Sequence, residues 1–375
     1  MRFRVLILGG YGNFGARIAR ALAPDPAFQL TIAGRNGARA REFAAALGAG
    51  ARAATLDLSD PDFPELLASN RPRLVIHAAG PFLHQDYRVA RAAIAAGAHY
   101  VDLADARSFV CGIVELEQEA RDRKVLVTSG ASTVPALSSA VVDHFERQFA
   151  RIECIDIGIS PGNRTPRGLA TVAAVLASVG KPFRWREDSR SRVVHGWQRL
   201  TRFSYAEPVG RRWLAACDVP DLALLPLRYG GVENVQFRAG LELPVLHLGL
   251  WLLSWLARLR LVRDWSRHAA GLKRISEWFA ARGHDAGAMH VAITGTDAAG
   301  MPRSVLWQLL ALYGDGPQVP CTAAIVLARK LASGSLRERG ARPCMGLLTL
   351  EELQVGLQDY AIRTVVTQTS SSQPS

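Results

Sequence analysis

Three glycines at fixed spacing carry the clearest chemistry in this chain. Gly10-Tyr11-Gly12-Asn13-Phe14-Gly15 reads G-x-G-x-x-G, directly after the apolar run Val5–Leu8 and at the start of a helical pattern over Phe14–Leu22. In that setting each glycine has a task. Gly10 permits the tight turn, Gly12 lets the backbone approach a pyrophosphate, and Gly15 lets the helix pack close to the strand. The amides at the helix start, with the helix dipole behind them, are then free for phosphate. The pattern implies dinucleotide binding by Gly10, Tyr11, Gly12, Asn13, Phe14 and Gly15; the alternative is a glycine-rich turn without a ligand.

The end of the second apolar run decides which dinucleotide. Sites for NAD usually hold an Asp or Glu there for the ribose 2′-hydroxyl. This chain has Ala33-Gly34-Arg35-Asn36-Gly37, without a carboxylate. A guanidinium at Arg35 pairs with a 2′-phosphate, where a carboxylate would repel it. NADP is expected over NAD, with Arg39 as a second phosphate contact; otherwise Arg35 is a solvated loop residue. Asp57, after the third run, either flanks the adenine or caps a helix.

In an open parallel sheet the substrate lies beyond the carboxyl ends of the strands. Ala79, Gly80 and Pro81 follow the fourth strand and are expected beside the cofactor. Asp102 and Asp105 follow the fifth, and Ser132 lies in Ser129-Gly130-Ala131-Ser132-Thr133-Val134-Pro135 after the sixth. These three are the catalytic candidates by position, each with helix capping as the alternative. His77, on a buried strand, reads as a satisfied core residue rather than a base. There is no G-x-S-x-G, no H-E-x-x-H and no Walker loop, and no metal site is expected.

The elements that must position these residues alternate strand and helix through residue 150. Strands are expected at Val5–Leu8, Phe28–Ala33, Ala53–Leu58, Leu74–His77, His99–Leu103 and Val125–Thr128, with helices between them. Such alternation means βαβ units, a parallel sheet and right-handed crossovers. The fold class is α/β: a Rossmann doubly wound sheet over 1–150 and a second, α+β domain over 151–366 for substrate and dimerisation. In the second domain Glu153–Ile159, His290–Thr296 and Ser304–Leu312 read as strands, Leu169–Val179 and Thr322–Leu331 as helices. Residues 182–285 give no clear pattern, and 367–375, rich in Ser, Thr and Gln, are expected to be disordered.

Within 243–275 lies a segment of unusual character. Leu243–Ala257 is apolar throughout, then Arg258, Arg260, Arg263, Arg267, Lys273 and Arg274 follow among Trp residues. A bilayer span needs about twenty apolar residues, and this run is shorter. Two readings lead: a buried helix lining an apolar pocket or a dimer interface, and a helix in a membrane surface with Arg on anionic lipid. Both suggest an apolar substrate.

The 375 residues are 49% hydrophobic and 21% charged, a globular composition, with net charge +12. The excess is carried by scattered Arg without a run of five, zinc-finger spacing or RNP motif, so nucleic acid is not expected as a partner. The five cysteines are odd in number and dispersed, which fits a reduced cytoplasmic protein.

At Gly9–Gly15, Ala79–Phe82, Tyr100–Leu103 and Ser129–Pro135 the sequence resembles the saccharopine dehydrogenase-like (saccharopine reductase) family, over about residues 1–145. Ser132 stands where the family often carries an acid. The resemblance implies an NAD(P)-dependent oxidoreductase, a homodimer, moving a hydride to or from an imine, enone or related small molecule. The rival reading is a non-catalytic NADP-binding scaffold, or a membrane-peripheral protein whose Rossmann domain is structural.

Overall fold

Short apolar runs closed by glycine fold as anticipated into strands that alternate with helices. The computed structural model describes residues 2–83, 85–166 and 168–370. The chain begins β1 (Phe3–Leu8), α1 (Asn13–Leu22), β2 (Phe28–Gly34), α2 (Gly37–Leu47), β3 (Arg52–Thr55) and α3 (Phe63–Ser69). It continues β4 (Leu74–His77), α4 (Arg88–Ala95), β5 (His99–Asp102), α5 (Arg107–Gly112), α6 (Glu117–Asp122) and β6 (Leu126–Ser129). Then come α7 (Ser138–Glu146), β7 (Arg151–Ser160), α8 (Leu169–Ser178), β8 (Pro182–Glu187), β9 (Arg190–His195), β10 (Thr201–Ser204) and β11 (Arg211–Ala216). After these follow α9 (Asp221–Arg228), β12 (Asn234–Ala239), α10 (Pro244–Arg258), α11 (Ala269–Glu277), β13 (Gly287–Thr296) and β14 (Pro302–Ala311). The chain closes with α12 (Val319–Ser333), β15 (Gly340–Pro343), α13 (Leu350–Leu357) and β16 (Ile362–Ser370).

Two units result: Met1–Leu137 with Pro317–Leu357, and Ser138–Gly316 with Gln358–Ser375. The boundary expected near residue 150 thus falls at 137/138, and the chain returns to the first unit for α12, β15 and α13.

The first unit is a seven-stranded sheet in the order β15-β6-β5-β4-β1-β2-β3. Every neighbouring pair is parallel, with Leu6 opposite Thr31 on one side and Val75 on the other. The order reverses between β1 and β4, so the loops after those two strands flank the switch point. Central strands buried on both faces read as unbroken apolar runs, and Val5–Leu8 and Leu74–Ile76 are fully enclosed. The edge strand β3 is mostly exposed and ends at Thr55 rather than Leu58. In α12, a fifteen-residue helix, Cys321, Ala324, Leu327 and Ala328 are buried, and it packs on α1. Its central stretch carries no charge because so little of it meets water.

The second unit is a nine-stranded mixed sheet ordered β10-β11-β12-β7-β13-β14-β16, with β8 and β9 hanging from β12. Only β12 and β7 run parallel. Ile155, Ile157, Val235, Phe237, Val291 and Ile293 are buried on one face, alternating along the strands with Asp156, Arg238 and His290 on the other. Thr367–Ser370, placed above in a disordered tail, instead complete β16 and pair with Arg303–Leu306 of β14. The pairing supplies the backbone partners that composition does not reveal. Residues 371–375, the remainder of that expected tail, lie outside the described residues. Among the described residues, no helix is long and apolar enough to cross a membrane.

Candidate functional site

The glycine loop is built as its spacing requires. Gly9 and Gly10 donate their N–H groups to Ala33 O of β2 at 2.9 and 3.2 Å, and Gly12 N–H donates to Gly9 O at 2.8 Å. A Cβ on Gly15 would lie 2.2 Å from Gly9 O, and one on Gly10 would lie 2.8 Å from Ile7 O. Neither contact tolerates a side chain, so the start of α1 is pressed against the loop it follows. The N-cap of α1 is Gly12, with no side-chain capping bond and no acid in the first turn. The first amides of the helix, which need partners from outside, face an electropositive helix end suited to phosphate.

The x of G-x-G fixes the neighbouring element. The Tyr11 hydroxyl accepts the Asn36 N–H at 3.0 Å. Gly34 has no room for a Cβ because the Tyr11 ring would be 2.6–2.8 Å from it. The Arg39 guanidinium lies 5.0 Å from the centre of that ring, and Arg39 N–H donates to Asn36 Oδ1, the cap of α2. Arg35 is left exposed beside this knot. Asp57 is also exposed and accepts from Ser59 N–H at 3.0 Å and Ser59 Oγ–H at 2.7 Å. Those bonds, followed by the attraction of Arg35, hold its carboxyl below the ordinary range. It forms a local turn rather than capping α3, whose N-cap is Asp62.

One cation beside the loop is not marked by the motif. Arg17 lies one turn along α1 and donates to both Asn13 O and Asn13 Oδ1 at 2.8 Å. Its Nε is buried without a partner. A cation four residues after Asn13, the first x of the x-x pair, was the available signal.

Across the switch point, Ala78 and Ala79 meet the glycine loop: a Cβ on Gly9 would stand 3.0 Å from both Ala78 C and Ala79 N. Ala78 and Ala79 therefore border the glycine loop, and Gly80 and Pro81, which follow them, are exposed. The Gln85 amide holds the loop, donating to Ala79 O and Pro81 O at 2.9 Å each. Beneath it, His77 is fully buried against Phe82, ring centres 4.9 Å apart. Desolvation lowers its pKa to about 3, so it is a neutral imidazole, joined through Nδ1 to the Tyr100 hydroxyl at 3.0 Å.

The three catalytic candidates separate. Asp102 has no exposed surface. Its Oδ1 accepts from Ala104 N–H, Gly130 N–H and Ser129 Oγ–H at 2.8–2.9 Å. It thereby ties the end of β5 to the loop after β6. Burial pushes its carboxyl up to about 6, against the pull of those hydrogen bonds. Ser132 is nearly buried, and its N–H donates to Gly130 O at 2.8 Å. Asp105 alone reaches solvent, yet its surroundings are crowded enough that desolvation raises its pKa. A carboxyl that is both reachable and readier to hold a proton is suited to acid–base work. Among the described residues, no group of three or more His, Cys, Asp or Glu is placed to hold a metal ion.

Residues 5–144 match the family model described as the saccharopine dehydrogenase NADP binding domain. Apo saccharopine dehydrogenase (L-Glu forming) from Saccharomyces cerevisiae is similar in structure, with a TM-score of 0.71 at 14% identity over 97% of this chain and 100% of that one. Homospermidine synthase from Legionella pneumophila, solved with NAD, gives 0.61 at 11% identity over 98% of this chain and 92% of that one. At such identities the likeness establishes the fold, which extends over both units. No curated protein matches the sequence.

Proposed function

We propose, from the premise that residues 5–144 are a saccharopine dehydrogenase-type NADP-binding domain, that this protein is an NADP-dependent oxidoreductase acting on a small molecule. The observation that carries the cofactor half is Arg35. It is exposed where β2 ends, beside a phosphate loop whose glycines leave no space for side chains. A planar guanidinium there meets a 2′-phosphate through paired charge-assisted hydrogen bonds.

The nicotinamide, when bound, supplies or accepts a hydride. The chain's own part is to bind, orient and move a proton. Gly12 and the first turn of α1 bind the pyrophosphate, Arg17 stands one turn behind with unspent donor capacity, and the Ala79–Pro81 loop, clamped by Gln85, borders the nicotinamide side. Asp105 gives or takes the proton. Asp102 is a positioning residue, holding the loops after β5 and β6 in register. A hydride acceptor of the C=N or C=C kind fits this inventory, since no nucleophile or metal is required. We read the enzyme as a cytoplasmic homodimer, its five cysteines dispersed along the sequence.

The test is direct. Purified protein is titrated with NADPH and NADH, then NADPH consumption is followed against a panel of imines, enones and carbonyl compounds. Saturable NADPH binding with turnover on any of them supports the enzyme. Binding without turnover across the panel favours an NADP-binding scaffold, and failure to bind either nucleotide overturns both readings.

A further inference from the structure

Helix α10 turns an apolar stripe to solvent. Only His247 and Ser254 of its residues are buried, while Val245, Leu248, Leu252, Trp255 and Leu259, just past its end, are exposed, Val245 and Leu252 at 57% each and Leu259 at 64%. Their spacing of three and four puts them on one helix face. Leu261 and Trp278, farther along the segment, are also exposed, at 69% and 76%. The segment, read above either as buried or as lying in a membrane surface, is therefore covered by this unit on its inner side only. Leu250 and Leu253 pack inward, against a cluster built on Leu176, Val179 and Trp197.

Two features say what covers the outer side. The first is charge. Between residues 243 and 276 the only carboxylate is Asp264, and it accepts the Ser266 N–H at 2.9 Å. Against it stand exposed Arg258, Arg260, Arg263, Arg267 and Arg274. The second is a cavity of about 330 Å³ at the end of β9, beside the stripe, lined by His195, Gln198, Arg199, Trp251, Trp255 and Arg258. Gln198 is 4% exposed. Its Oε1 accepts from Arg258 at 2.8 Å, and its Nε2 is buried with no partner. Arg258 lies 5.0 Å from the Trp255 ring centre, and Arg199 pairs with Glu187 at 2.7 Å. The cavity thus offers an unspent amide donor and two guanidinium groups against one carboxylate.

We propose that this face docks on an anionic phospholipid surface: a headgroup phosphate enters the cavity between Gln198, Arg199 and Arg258, and the α10 stripe enters the acyl boundary. Trp255 belongs to both parts, since it lines the cavity and is exposed on the stripe. A second copy of the chain is a poorer occupant, because a two-fold contact sets each arginine cluster near its own copy. This inference stands apart from the hydride-transfer reading and does not need it.

The full chain is sedimented with vesicles of phosphatidylcholine, with and without phosphatidylglycerol. Binding is expected only with phosphatidylglycerol, and high salt reverses it. Arg258→Gln weakens it about fivefold, as expected for one cation near a charged bilayer. Leu252→Glu, at an exposed position, abolishes it while NADPH titration and melting temperature stay unchanged. Three outcomes overturn the proposal. One is no binding to phosphatidylglycerol vesicles at low salt. Another is equal affinity for soluble glycerol phosphate, which makes the cavity a small-anion site. The last is a dimer that Leu252→Glu splits without any vesicle binding.

Discussion

The Tyr11 hydroxyl accepts the Asn36 backbone N–H at 3.0 Å, and Asn36 in turn caps α2. The residue between the first two glycines of the phosphate loop therefore sets the position of the segment that carries Arg35. Tyr11→Phe removes that bond and keeps the ring. One neutral hydrogen bond contributes about 1 kcal/mol, so NADPH is expected to bind roughly fivefold more weakly, with the melting temperature little changed. Unaltered affinity would show that the two segments are held independently.

Arg35 itself is read through discrimination. Hydrogen bonds to charged groups contribute about 2 kcal/mol, so Arg35→Ala should weaken NADPH binding some thirtyfold and leave NADH unchanged. The side chain is exposed, so stability should not move. Equal loss for both nucleotides, measured by fluorescence titration, would place Arg35 on a group the two share, such as the pyrophosphate, and no loss for either would take it away from the ligand.

Gly15→Ala tests packing. The added methyl meets Gly9 O at 2.2 Å, a backbone atom that cannot swing aside. Overpacking of this kind costs about 1–3 kcal/mol, and the loop must shift, so both nucleotides should be lost together with several degrees of melting temperature. A stable variant with normal binding would mean that α1 slides freely away from the loop.

Asp102 makes stability depend on pH. Its carboxyl rises from 3.8 to about 6 in the fold, so the native chain holds this proton where the unfolded chain has released it. The contribution is complete below about pH 4 and is lost as pH rises through 6, of order 3 kcal/mol for a shift of this size. Asp102→Asn preserves an oxygen for Ala104, Gly130 and Ser129 and cannot ionise. Urea midpoints at pH 4.5 and 7 should differ less for the variant than for the parent, with the parent the less stable of the two at pH 7. An identical pH difference in both proteins would assign the carboxyl an ordinary value.

Asp105→Asn should leave NADPH affinity intact and lower kcat about a hundredfold on any substrate turned over, the usual loss when a general acid or base is removed. Asp102→Asn should lower it far less. If the two variants lose activity equally, proton transfer does not belong to Asp105.

The nucleotide-binding sheet was legible because its strands are buried on both faces and glycine closes them. Val5–Leu8, Phe28–Ala33 and Leu74–His77 declare themselves by apolar runs alone. The second sheet hid for the opposite reason. Arg190–His195 and Pro182–Glu187 are hairpin strands with arginines on the open side and few buried residues; they pair with each other, and only Arg186 bridges distant chain, at Val235 of β12. Asp102 and Asp105, three residues apart, looked alike in sequence. Only the turn of backbone between them sends one into the sheet and the other to solvent. For α10 the apolar content was plain, and its one-sided burial was not, since periodicity is invisible where nearly every residue is apolar.

Strand β15 pairs with β6 from Gly340 to Pro343, and α12 lies on α1. The nucleotide-binding sheet is thus finished by residues translated after the whole of the second sheet except its edge strand. During synthesis the ribosome releases β6 as a bare margin, with unpaired backbone groups and an uncovered flank on α1, until α12 and β15 have been made. A nascent chain stalled near residue 150 would expose an adhesive border to its neighbours, and early termination anywhere before 343 would leave a sheet prone to pairing with other molecules.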